Sequence, residues 1–201
     1  MLLYPWPGIV RMGSGMRNSR GCMCEPHDGR LWPGHVSGGT GRSTRVPCRR
    51  FGFNARSETA ATLPSFSDVW RKGLLCIIPA EAIYEPDWRT GKHVPCRISR
   101  ADGETLGVAG LWQPWRTPEG RWVNSFTMLT LNADTHDIFK ELHRPDPKRP
   151  ADQQDKRMVV ILHEEDYAGW LDAPAERAMG FVRHYPATRL CVVPEPPGGI
   201  G

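Results

Sequence analysis

The sequence predicts a mixed α+β domain dominated by antiparallel strands, and three observations point that way. Apolar residues alternate with polar ones through Val94, Cys96 and Ile98. Turn signals at Ala101-Asp102-Gly103 and Thr117-Pro118-Glu119-Gly120 punctuate the apolar runs. The helical patterns between them are few and short. At 201 residues the chain is long enough to bury a core of its own.

Residues 1 to about 50 are rich in Gly, Arg and Ser and hold no sustained period of 2 or 3.6, so they read as largely irregular. Charge marks the same boundary. Arg11, Arg17, Arg20, Arg30, Arg42, Arg45, Arg49, Arg50 and Arg56 precede Ser57 against only Glu25 and Asp28, and Lys72 is the first lysine. Residues 51–193 form the predicted core and 194–201 a Pro/Gly coil tail. Pro64 and Ser65 introduce a short helix in which Phe66, Val69 and Trp70 share one face, and Gly73 stops it. Residues 74–78 read as a buried strand. Residues 94–98 and 106–111 are expected to pair as one hairpin, and 112–115 with 122–131 as a second. A short helix over 134–142, a polar, proline-broken loop over 143–155 and another buried strand over 158–162 follow. Residues 164–171 and 175–184 are helical by pattern, with Pro174 at a first-turn position.

Apolar runs such as 74–80 are far too short to span a bilayer, and residues 1–10 carry Pro5 and Pro7 with no basic leader. A cytoplasmic protein that touches no membrane is expected. The six cysteines are scattered, which predicts reduced thiols rather than a disulfide scaffold. A net charge of +4 and a pI near 8.8 permit a nucleic-acid partner without demanding one.

Chemistry-bearing residues fall at a few places. Asn54-Ala55-Arg56-Ser57-Glu58-Thr59 packs an amide, a guanidinium, two hydroxyls and a carboxylate behind Phe51 and Phe53. Such groups can orient a reactant or fork onto phosphate, with the carboxylate holding the guanidinium. The same run also reads as a solvated turn capping a helix. Glu85, between Tyr84 and Trp88, is a partly desolvated carboxylate suited to proton transfer, or a surface glutamate at a strand end. His143 opens the loop His143-Arg144-Pro145 and can titrate near neutrality, although a lone loop histidine often has no role. Cys22, Cys24, His27 and Cys48 match no common zinc spacing, and no phosphate loop or nucleophile elbow is present. No metal or cofactor is expected. Trp70, Trp88, Trp112, Trp115 and Trp122, interleaved with Arg71, Arg89, Arg116 and Arg121, offer faces for base stacking; core packing explains most of them more simply.

Taken in order, Asn54-Ala-Arg-Ser-Glu-Thr, Cys76-Ile-Ile-Pro-Ala with Ile83-Tyr-Glu, Ala109-Gly-Leu-Trp112, Phe126-Thr-Met-Leu-Thr130 and Lys156-Arg-Met-Val-Val-Ile-Leu162 resemble the SOS response-associated peptidase (SRAP) family over about residues 51–190. The resemblance implies curved, mainly antiparallel, barrel-like sheets flanked by short helices. It implies a monomeric protein, nucleoid-associated when bound, that captures abasic sites in single-stranded DNA. In that family the mature N-terminal cysteine attacks the ring-opened sugar aldehyde, forming an imine through its amine and a thiazolidine through its thiol, and the protein cleaves off its own N-terminal extension. Carried onto this sequence, Asn54 orients the cysteine, Glu85 shuttles protons and His143 acts as acid or electrostatic stabiliser. Arg56, Trp112, Thr130 and Arg144 face the DNA. Family members begin Met-Cys-Gly-Arg and carry a Trp-Gly-Leu strand before the Asn block; here the single Met-Cys pair is Met23-Cys24, which makes Cys24 the candidate nucleophile. The family N-terminus is expected to be missing or altered. A single-strand DNA-binding remnant without the nucleophile, and a metal-dependent hydrolase, are the competing expectations.

Overall fold

Two sheets share one core in the computed structural model, which describes residues 53–116 and 119–194, apart from the side chains of Trp115 and Val123. The larger sheet has five strands: β1 (Asn54–Arg56), β2 (Leu75–Ala80), β5 (Leu106–Arg116), β6 (Trp122–Asn132) and β7 (Arg157–Val159). The smaller has three: β3 (Ile83–Asp87), β4 (Val94–Arg100) and β8 (Leu190–Pro194), in the order β3-β4-β8. Short helices α1 (Ser57–Ala60), α2 (Ser67–Arg71), α3 (Tyr167–Leu171) and α4 (Ala175–Ala178) flank them. The α+β class and its mainly antiparallel pairing are as the sequence predicts, with β1 parallel to β6 as the exception. No barrel closes among the described residues; both sheets are open.

The long hairpin of β5 and β6 forms as expected, from Gly110 opposite Met128 to Arg116 opposite Trp122. Where the two strands diverge, residue 160 enters between them: the Val160 N–H donates to Leu129 O and its carbonyl accepts from the Ala109 N–H, each at 2.8 Å. The other expected hairpin does not form. Residues 94–98 pair with β3 and β8, whereas 106–111 pair with β2 and β6. The turn at Gly103 (φ 81°) sends the chain from one sheet to the other. The physical reason lies in burial. The inner residues Cys96, Ile98 and Arg100 of β4 alternate with half-exposed ones, whereas residues 106–111 are buried on both faces, as a central strand covered from two sides must be.

The helix expected over 134–142 is reduced to a 3-10 turn over Phe139–Glu141. His136 Nδ1 accepts the N–H groups of Ile138 (3.1 Å) and Phe139 (3.3 Å), a side-chain bond that competes with helical pairing. The patterns over 164–171 and 175–184 resolve into α3 and α4, each joined to a 3-10 turn. Gly73 ends α2 with φ 61°, as a C-terminal glycine does.

Gly110 lies on β5 between β2 and β6, whose atoms leave no room for a side chain at this position. A Cβ at this position would lie 2.7 Å from Ile78 Cδ1 and 2.8 Å from the backbone oxygen of Thr127. Because the strand oxygen cannot yield without breaking the ladder, Gly110→Ala is expected to cost about 1–3 kcal/mol. In urea denaturation the midpoint should fall with the slope unchanged; an unshifted midpoint would show that the neighbouring strands relax freely.

Candidate active site

The inner face of β3 carries Ile83, Glu85 and Asp87, because side chains alternate along a strand. Ile83 belongs to the core and Asp87 is buried, so Glu85 between them sits on an apolar face opposite the fully buried Cys96. Its side chain is 15% exposed. Two carboxylates two residues apart on this face meet opposite fates. Arg89 donates to Asp87 through its backbone N–H and its guanidinium, at 2.7 Å for the closest contact, and holds the Asp87 carboxyl below the usual range. Glu85 has no such cation, and burial pushes it up to about 8. At neutral pH it is a neutral acid.

His143 faces it. The ring Nε2 lies 3.1 Å from Glu85 Oε2, yet the contact is out of line for a hydrogen bond, so this buried nitrogen has no aligned partner. Burial, and secondarily the Lys156 charge, lower the ring's pKa; its interaction with the Arg157 backbone offsets part of this. The pair therefore has inverted proton affinities. The carboxyl keeps its proton above the pH at which the imidazole has lost one, the arrangement that marks acid and base assignments in active sites.

His143 adopts a left-handed backbone, φ 63°, which costs a non-glycine residue about 1–3 kcal/mol. Its N–H donates to Pro86 O at 2.7 Å, and Leu142 bridges to Asp87, so the loop start is docked on β3. The buried Lys156 ammonium donates to the carbonyls of both Leu142 and His143 at 2.7 Å. Next along, the exposed Arg144 guanidinium stacks 5.4 Å above the Trp88 ring. The other end of the loop, Asp155, is also left-handed at φ 55°. Between these ends Gln154 acts as an internal brace, accepting the Asp146 N–H and donating to the carbonyls of Asp146, Arg149 and Pro150.

The polar hexapeptide splits across β1 and α1, and its charges do not pair as the sequence suggests. Arg56 forks onto Asp155 (2.7 and 3.3 Å), while Glu58 takes Arg157 in a bidentate pair at 2.8 Å and accepts the Asn132 N–H. Arg56 and Glu58 thus grip the far end of the His143 loop. Thr130 is buried and accepts from Arg157 through both its carbonyl and its hydroxyl. Trp112 is half-buried against the core opposite Phe126. Asn54 is exposed at the start of β1, and its side-chain amide makes no hydrogen bond to a described residue. Glu85, His143 and Arg144 are thus brought together, whereas Arg56 and Thr130 are joined through residues 155–157. Cys24, like Cys22, His27 and Cys48, lies outside the described residues.

The sequence alone does not mark Lys156, Asp155 and Arg157 as site residues. Their signal is a Lys-Arg pair ending a polar loop and entering an apolar strand, which reads equally as a strand border. Among the described residues no cluster of three or more His, Cys, Asp or Glu is placed to hold a metal ion, no disulfide joins Cys76, Cys96 and Cys191, and no helix is long and apolar enough to cross a membrane.

Residues 42–194 match the family model described as SOS response associated peptidase (SRAP). Two Bacillus subtilis relatives, named abasic site processing proteins YoqW and YobE, are each 33% identical over 126 residues, which is 60% of this chain. That stretch is 47% and 48% of those proteins, so the chain spans about half the length of the curated relatives it matches. A crystal structure of a protein from Bordetella bronchiseptica superposes with a TM-score of 0.65 at 50% identity, covering 71% of this chain and 64% of that one. A second, from Bacteroides thetaiotaomicron, shares the fold at 20% identity with a TM-score of 0.60, covering 72% of this chain and 58% of that one. With the family model running through both sheets and the whole His143 loop, the chain belongs to the SOS response associated peptidase (SRAP) family.

Proposed function

We propose that this chain processes abasic sites in single-stranded DNA by covalent capture, with Glu85 and His143 as its proton-transfer pair. The observation that carries this reading is the 3.1 Å contact between a carboxyl that holds its proton and an imidazole that does not. Capture of a ring-opened sugar aldehyde by an N-terminal cysteine needs both. The α-amine adds to the aldehyde carbon, and a carbinolamine forms. Its hydroxyl leaves as water once protonated, giving an imine, and the thiol then adds across the C=N bond and closes a thiazolidine. Glu85 supplies the proton to the departing oxygen, and His143 accepts the one the amine releases.

Asn54 orients the cysteine, for which Cys24 is the candidate. Arg144, held over Trp88, and Arg56 meet the backbone phosphates, with Trp112 beneath a base and Thr130 supporting Arg157 behind them. Self-cleavage of an N-terminal extension belongs to the same reading, since it would expose the nucleophile. The names of the Bacillus relatives and the family match support the DNA lesion as the substrate class.

The test is incubation of the full chain with a single-stranded oligonucleotide bearing one abasic site, read on a denaturing gel and by peptide mass mapping. A heat-stable adduct that maps to a new N-terminal cysteine is the expected result. Retention that disappears with salt and leaves no adduct would support the non-catalytic DNA-binding reading instead.

A further inference from the structure

We propose that Lys156 is the positioning residue of the Glu85–His143 pair: its buried ammonium ties down the carbonyls on both sides of the His143 nitrogen and so holds the histidine in the left-handed conformation that presents Nε2 to Glu85. The inference rests on the acid–base reading of that pair and adds a residue that the reading does not use.

The geometry is a two-sided grip. From β3, Pro86 O accepts the His143 N–H at 2.7 Å. From the opposite side, Lys156 Nζ donates to Leu142 O and to His143 O, both at 2.7 Å. Lysine 156 is itself immobilised. Its N–H donates to Asp134 Oδ1 at 2.7 Å, its carbonyl accepts the Ala133 N–H at 2.8 Å, and β7 begins at the next residue. The side chain is therefore a strut between a strand border and a strained turn.

A charged donor is suited to this task because charge-assisted bonds to carbonyl oxygens are stronger than neutral ones. Removing it leaves Leu142 O and His143 O without that donor and leaves only the β3 side of the grip to hold His143 at φ 63°. Relaxation to a right-handed backbone would swing the ring away from Glu85. Lys156 also acts on the ring through its charge, which lowers the His143 pKa, with Asp134 and Glu141 as the acidic groups facing the ammonium and Glu85 the one facing the imidazole.

The experiment is Lys156→Met in the full chain, with the His143 ring followed by NMR through a pH titration and adduct formation timed on the abasic oligonucleotide. The titration midpoint of His143, below 6.5 in the native chain, should move upward, and adduct formation should slow by about 10²-fold, the scale of an ångström-sized misplacement. An unchanged midpoint overturns the proposal. If the native chain forms no adduct, the capture reading fails while the stability comparison with His143→Gly still decides the role of Lys156. His143→Gly supplies the second arm, because glycine adopts the left-handed backbone without strain, and Lys156→Met should fold in that background even where it does not fold alone. Lys156→Met should then lower the unfolding midpoint by about half as much, or less, in the His143→Gly background as in the native one. Equal losses in both backgrounds would overturn the proposal.

Discussion

Glu85→Gln is expected to stabilise the fold by about 3 kcal/mol at pH 7 while slowing adduct formation by about 10²–10⁴-fold. An unfolded glutamate ionises near 4.5 and the folded one near 8. Between those values the native chain holds a proton that the unfolded chain has released, so stability falls as pH rises through the window. The loss is absent below about 4.5 and complete above about 8. Glutamine resembles the neutral acid in shape and cannot ionise, so the variant escapes the loss. Urea denaturation at pH 4 and pH 7 separates the cases: the variant should match the native chain at the lower pH and exceed it at the higher. An equal gap at both would show that Glu85 titrates as an ordinary surface carboxyl. On the proposed assignment the same substitution removes the transferable proton, so stability and capture move in opposite directions, as expected where a site holds a buried carboxyl in its neutral form at a cost in stability.

His143 contributes the opposite limb. Its folded pKa lies below 6.5, so the unfolded chain binds protons first and stability is lost as pH falls below that value. His136 adds to this limb, since its buried ring is likewise held below 6.5, chiefly by burial, and its Nδ1 already accepts two backbone N–H groups.

Trp170→Ala is expected to cost about 3–5 kcal/mol and to leave capture per folded molecule unchanged. The indole is fully buried, packs edge-on to Phe181 at 6.2 Å between centroids, and donates from Nε1 to Cys76 O at 2.9 Å. It pins α3 against β2, on a different sheet from Glu85. Trp170→Phe should fall between, because it keeps most of the apolar volume and loses the hydrogen bond, worth about 1 kcal/mol. Thermal unfolding of the two variants checks the order. A phenylalanine variant as unstable as the alanine one would mean that the hydrogen bond, and not the packing, carries the effect.

Strand and turn positions were legible where the signal is local. The β5–β6 hairpin, the stop at Gly73 and the polar loop after His143 follow from alternation, turn residues and proline. Strands β1, β3 and β8 are not legible in the sequence, because three to five residues at a sheet edge hold too little pattern to stand apart from their flanks. The misassigned hairpin has a different cause: alternation and a turn locate two strands, but which edges they pair with depends on what covers each face. The same distinction applies to the site. Glu85 and His143 could be picked out as residues, since a carboxyl between aromatics and a histidine before Arg-Pro carry recognisable chemistry.

The sequence by itself determined the residue inventory of this protein: the ordered family blocks, the α+β class, and the carboxyl, imidazole and guanidinium groups available to a site. Tertiary structure alone decided their partners. It turned Arg56 and Glu58 away from each other and onto Asp155 and Arg157, placed Lys156 under a strained histidine, and gave Asp87 a cation that it withheld from Glu85. The reason is that a side chain's charge state and hydrogen bonds depend on what is near it in space and on how much water remains there. Neither quantity is local in the chain.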